Sequence, residues 1–189
     1  MKKIFLLSLV AVLMIPTVTA QNKQITLEDI WTKYRFYPSS VPGFNFMNDG
    51  KHYTRRVRAK DGVALVKYDI TNGEAVETLF TSSQMQEADE NAPKSFDSYE
   101  FSADESKIIL ATNKESIYRH SFYADFYIWD FETKTLTPVA EGKQRLATLN
   151  PAGDKVAYMQ DNNLFYKDLS TGKVMQITKD GENNKVING

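Results

Sequence analysis

The 189-residue sequence has no cysteine, two histidines, nine glycines and six prolines. Each scarcity excludes something. Without thiols there is no disulfide and no cysteine to complete a zinc site, and His52 and His120 lie far apart in sequence. No Gly-x-Ser-x-Gly elbow occurs, so the chain carries no nucleophile of the α/β-hydrolase kind. A glycine-rich phosphate loop is also missing. Residues 180–184 (Asp-Gly-Glu-Asn-Asn) offer oxygen ligands but lack the distal glutamate of a calcium loop and read as a solvated turn. A dominant charge is absent too: the net charge is −1, with no basic stripe to suggest nucleic acid. No cofactor and no metal are expected.

The one long apolar run is at the N-terminus. Lys2 and Lys3 precede Ile4 to Ile15, and Val18-Thr19-Ala20 puts small residues at the −3 and −1 positions of a cleavage site. The run is too short for a bilayer core of roughly 30 Å. Residues 1–20 are therefore expected to be a signal peptide, and the protein to be exported to a periplasm or outside the cell. No membrane span is expected after its removal. Cleavage would take away two lysines and no acid, moving the net charge from −1 to −3. Packing alone must then stabilise the fold.

Residues 21–42 read as a short helix and a linker. Leu27, Ile30, Trp31 and Tyr34 fall on one face, Thr26 and Asp29 have capping-box spacing, and Pro38 and Pro42 end the element. From residue 43 the period changes to two and a unit repeats. It consists of a strand, a polar turn, an apolar strand, a loop, an aromatic strand ending in Asp, a tight turn and a last strand. The lysine that opens the second strand recurs at Lys51, Lys107 and Lys155, and these read as solvated turn residues. Asn72-Gly73 and Thr171-Gly172 suit turns that need positive φ.

Four short strands per unit of this length mark a β-propeller blade. The pattern predicts an all-β fold: a partial propeller over 43–189 of about three four-stranded blades, near 43–81, 97–141 and 145–180. A β-sandwich has a similar strand count but does not explain the threefold recurrence. Three blades leave open edges, so the chain is expected to be the front of a longer polypeptide. Residues 82–98 read as a surface connection between blades.

Residues 116–131 (Ser-Ile-Tyr-Arg-His-Ser-Phe-Tyr-Ala-Asp-Phe-Tyr-Ile-Trp-Asp-Phe) carry the strongest functional signal. Arg119 presents five donors in a rigid fork among aromatics, suited to carbonyls or carboxylates. His120 reads as a support for this loop, and Tyr118, Tyr123 and Trp129 as core or loop-packing aromatics.

Three stretches carry a resemblance over nearly the whole chain after residue 20. They are Ile117-Tyr118-Arg119-His120-Ser121 with Tyr127-Ile128-Trp129-Asp130, Asn150 to Tyr158 with Asp161 to Phe165, and Ile177 to Gly181 leading to Ile187-Asn188-Gly189. The sequence resembles the N-terminal propeller region of dipeptidyl peptidase IV and its bacterial relatives, prolyl-specific serine exopeptidases. The resemblance implies an eight-bladed propeller capping an α/β-hydrolase domain, with the substrate peptide between them. It implies that Arg119 hydrogen-bonds a substrate carbonyl near the free N-terminus. It also implies a glutamate pair that follows the position of Asn188-Gly189, and homodimerisation through parts mostly outside this chain. The Ser-Asp-His triad and the glutamate pair are not in this sequence, so the chain itself is expected to be non-catalytic. The expected partners are a peptide with a free N-terminus and a C-terminal hydrolase domain. The alternative reading is a stand-alone envelope propeller that binds peptides or a partner protein without catalysis.

Overall fold

The computed structural model describes residues 24–38, 40, 43–60 and 62–188. The expected signal peptide lies outside the described residues. Among the described residues, no helix is long and apolar enough to cross a membrane. The described residues fall into two units, those up to residue 40 and those from residue 43.

In the first unit, helix α1 spans Leu27–Trp31. Thr26 caps it: its hydroxyl accepts the Asp29 N–H at 3.1 Å, and the Asp29 carboxylate accepts the Thr26 N–H at 3.4 Å. The helix is shorter than its apolar spacing predicts: it ends at Trp31, and Tyr34, outside it, takes a positive φ of 46° that no helix contains. Leu27, Ile30 and Trp31 are exposed. The buried side chain is Asp29, which pairs with Arg35 at 3.4 Å.

The second unit holds three four-stranded antiparallel sheets, each in simple up-and-down order. The first contains β1 (Asn45–Phe46), β2 (His52–Ala59), β3 (Gly62–Asp69) and β4 (Ala75–Thr81). The second contains β5 (Ser98–Phe101), β6 (Lys107–Tyr118), β7 (Ser121–Asp130) and β8 (Thr135–Pro138). The third contains β9 (Arg145–Leu149), β10 (Lys155–Gln160), β11 (Asn163–Asp168) and β12 (Val174–Gln176).

The middle sheet is covered on both faces, which explains its unbroken Ile108-Ile109-Leu110 run. Alternation sends Ile108, Leu110 and Trp129 into a core shared with Leu65 and Phe80 of the first sheet. Ile109, Ala111, Phe126 and Ile128 face the other way and pack with Val156 and Tyr158 of the third. Consecutive sheets thus stack face to face as propeller blades do, and the expected all-β, blade-by-blade architecture is what the structure contains.

The recurring aspartates close the tight turns between the last two strands of each sheet. Asp69 accepts the Thr71 N–H at 2.7 Å, Asp130 the Thr133 N–H at 2.9 Å, and Asp168 the Thr171 N–H at 2.9 Å. Each carboxylate satisfies turn donors that have no strand partner.

Residues 82–98 correct the expectation of a surface connection. Helix α2 (Ser82–Ala88) follows β4 directly, and Met85, Ala92 and Phe96 are buried in the core between the first two sheets. The cause is topological. The segment carries the chain from the last strand of one sheet to the first strand of the next, so it crosses the seam and fills it.

Candidate functional site

The β6–β7 hairpin, with strands of 12 and 10 residues, is much longer than its β10–β11 counterpart, whose strands have six each. Beyond the Thr112–Asp125 pair the excess forms an arm with two register shifts. Asn113, at the first shift, has φ 49°. Such irregularities twist a hairpin and re-aim its tip. Arg119 and His120 form that tip between the paired residues Tyr118 and Ser121, and Arg119 itself has φ 44°.

The base of the arm is tied down by polar contacts. Lys143 lies 3.5 Å from both Glu115 and Asp125, and it also donates to the Asn113 carbonyl. The Asn113 amide reaches Asp125 at 2.9 Å. Lys114 lies over the Phe122 ring at 4.0 Å. Burial lowers the pKa of its ammonium, and the neighbouring Asp97 carboxylate acts against that.

At the tip, the Arg119 guanidinium lies 5.4 Å from the Tyr118 ring centre and is exposed. No carboxylate of the described residues lies within ion-pair distance of it. Tyr118 and Tyr123 are exposed, which corrects their reading as packing aromatics, whereas Trp129 is buried as expected. His52 is held in its own turn by Asp49 at 2.5 Å and is not part of the arm. Among the described residues there is no cluster of three or more metal-ligating side chains.

The arm folds over the first-strand edge of the second and third sheets. A cavity of about 240 Å³ is lined by His120 and Phe122 of the arm, Ser98 and Glu100 of β5, and Arg145 and Ala147 of β9. A more polar, open recess of about 430 Å³ lies on the other side of Arg145, bounded by Glu115, Tyr123, Lys143 and Asn162. Arg145 thus walls both spaces, with its guanidinium 5.9 Å from the Tyr123 ring centre. No sequence motif singles it out. It opens β9, and the exposed Leu146 beside it has φ 52°. The arrangement offers the His120 imidazole and the half-buried Arg145 guanidinium around concave space, with the exposed Arg119 guanidinium at the tip of the arm, groups suited to carbonyl and carboxylate acceptors.

Comparison with known proteins gives this fold its class. Residues 102–189 match the family described as "Dipeptidyl peptidase IV (DPP IV) N-terminal region". The protein named "Probable dipeptidyl-aminopeptidase B" of Chaetomium globosum is 30% identical over 193 residues, covering 91% of this chain and 20% of its own length. "Probable dipeptidyl peptidase 4" of Emericella nidulans is 34% identical over 167 residues, covering 86% of this chain and 20% of its own length. Among solved structures, Porphyromonas gingivalis dipeptidyl peptidase 4 superposes with a TM-score of 0.69 at 36% identity, covering 85% of this chain and 22% of that one.

Residues 102–189 are therefore a dipeptidyl peptidase IV N-terminal region, and the likeness to a solved dipeptidyl peptidase 4 extends over most of the remaining chain. The chain spans about a fifth of the length of these relatives.

Proposed function

We propose that this chain is the substrate-orienting propeller portion of an exported serine exopeptidase that removes Xaa-Pro or Xaa-Ala dipeptides from free N-termini. The chain itself supplies positioning and no bond cleavage. The observation that supports this reading is the arm, whose His120 lines a cavity beside the first strands of two sheets and whose tip carries the exposed Arg119 next to it. In a radial arrangement of blades the first strands line the central hollow. A peptide resting there meets a guanidinium with free donors. Arg119 would hydrogen-bond a backbone carbonyl near the peptide's amino end, with His120 bracing the tip.

Release of a dipeptide requires that the N-terminus be fixed relative to the scissile bond, so positioning groups convert binding energy into alignment. The nucleophile, its base and the amine-binding carboxylates would come from a partner hydrolase domain. Homodimerisation, which the resemblance implies, would involve that larger assembly. Export is supported by the sequence pattern of residues 1–20.

The test is kinetic. In the full polypeptide carrying these residues, Arg119→Ala should lower kcat/KM for a Gly-Pro reporter by the equivalent of about 1–3 kcal/mol, the worth of a charge-assisted hydrogen bond. An unchanged rate overturns the role of Arg119. Peptide binding with no hydrolysis of any Xaa-Pro reporter would favour the non-catalytic propeller.

A further inference from the structure

We propose that Arg145 is a second peptide-reading guanidinium, one that selects for an acidic side chain on the N-terminal residue of the bound peptide. The inference rests on the reading of Arg119 as the residue that holds the peptide's amino end.

Arg145 is half-buried at the first position of β9, where it forms the common wall of the cavity beneath His120 and the polar recess beyond it. Its guanidinium lies over the Tyr123 ring, 5.9 Å from the ring centre. No carboxylate among the described residues lies within 4 Å of it, although its neighbour Lys143 is engaged by both Glu115 and Asp125. The two cations therefore differ. The lysine is consumed in anchoring the arm, while the arginine keeps its hydrogen-bonding fork for something else. A half-buried guanidinium with a ring as neighbour has fewer conformers to lose, so engaging a carboxylate costs it less side-chain entropy than at an open surface.

The cavity chemistry fits a short acidic side chain. Phe122, Phe126 and Ala147 give it apolar lining suited to a methylene, and Arg145 gives it a cation. Glu100 of β5 also lines the cavity and repels an acid, but it is not within ion-pair distance of Arg145, so it leaves the guanidinium unneutralised. With a peptide's amino end under the arm, the first side chain is the one nearest to this space. In a partly desolvated cavity a carboxylate paired with a guanidinium is discriminated from its neutral amide isostere, because both are shaped alike and only one is charged.

The experiment compares Asp-Pro, Asn-Pro and Gly-Pro reporters in the full polypeptide, with Arg145→Gln, Arg145→Lys and Arg119→Ala variants. The expected result is an Asp-Pro over Asn-Pro preference in kcat/KM that falls about tenfold in Arg145→Gln and is partly kept in Arg145→Lys, with Gly-Pro turnover lowered less than Asp-Pro turnover in both. Arg119→Ala should instead slow all three reporters together. An Asp-Pro over Asn-Pro ratio that Arg145→Gln leaves untouched overturns the role of Arg145 and leaves that of Arg119 standing. Equal loss on all three reporters in Arg145→Gln and Arg145→Lys also overturns it, since that marks a structural role. Failure to turn over any reporter overturns both readings.

Discussion

The side-chain oxygen of Gln144 accepts the backbone N–H of Phe126 at 3.2 Å, across the seam between the second and third sheets. Gln144 is fully buried, and its amide nitrogen donates to the Ala140 carbonyl at 3.1 Å and to the Gly142 carbonyl. Backbone bonds between Ala124 and Gln144 run in both directions beside it. One amide thus joins two blades at the root of the arm.

Gln144→Leu keeps the side chain's approximate bulk but leaves buried backbone groups without partners. Each orphaned group costs about 1–3 kcal/mol. The expected outcome is a loss of that order or somewhat more in denaturant unfolding of the full polypeptide. Gln144→Glu should be less damaging at low pH, where a protonated carboxyl can still donate.

The seam between the first two sheets depends on aromatic packing. Phe80 lies 4.8 Å from Trp129 and 5.8 Å from Phe96 between ring centres, and all three are buried. Phe80→Ala should cost about 3–5 kcal/mol, the usual range for a truncated core aromatic. Trp129 emission, shifted to the red in the folded variant, checks that the defect is local to this cluster.

The backbone at Gly62 makes a sharper demand. Its φ is +135°, and an added Cβ would fall 2.1 Å from the Ser82 hydroxyl and 2.9 Å from the Lys94 carbonyl. That same hydroxyl accepts the Val63 N–H at 3.0 Å. Gly62→Ala should therefore destabilise the first seam by more than the about 1 kcal/mol that glycine-to-alanine exchanges usually shift in either direction. Reduced soluble yield and a lower Tm than Gly73→Ala, at an open hairpin turn, would check this.

The blades were legible because the strand-turn grammar repeats: an aspartate ends the third strand three times, and each makes the same turn contacts. The α2 segment was not legible as core. Met85, Ala92 and Phe96 stand at helical spacing, but they are sparse among polar neighbours and the helix ends at Ala88, so no continuous apolar face marks the segment as core. Thr81 and Gln84 did hold a local signal, since Gln84 accepts the Thr81 N–H at 2.8 Å. Within the candidate site, Arg119 and His120 stood out by residue type, but the length of the arm did not. Its register shifts break the alternation that would have marked residues 113–123 as paired strands. Arg145 becomes visible only when the third sheet is set against the arm.

The turn aspartates make stability depend on acid. Hydroxyl and backbone donors from Ser170 and Thr171 hold the Asp168 pKa at about 2, below its ordinary 3.8. Donors from Ser102 and Ser106 do the same for Asp104, also to about 2. A folded-state pKa below the unfolded one gives stability that is complete above about pH 4 and is lost as pH falls through about 2. Asp168→Asn keeps an acceptor oxygen but removes the titration. The acid limb of its unfolding curve should be shallower than the parent's between about pH 4 and 2, with little difference near neutrality. Parallel acid limbs would overturn this assignment.

Lys143 tests whether the arm must be held to work. Its ammonium joins Glu115, Asp125 and the Asn113 carbonyl at the point where the hairpin leaves the sheet. The ion pairs are partly exposed, so each contributes about 0–1 kcal/mol and global stability should barely change in Lys143→Met. Local order should change more, because the register shifts leave few backbone bonds to fix the arm. Hydrogen exchange over residues 114–123 is expected to quicken in Lys143→Met, while β10 and β11 stay protected. On the proposed function, Lys143→Met in the full polypeptide should raise KM for Xaa-Pro reporters more than it lowers kcat, since a looser arm would present Arg119 less often without altering the chemistry. Unchanged exchange together with unchanged KM would mean that the arm holds its position through Gln144 and the backbone alone.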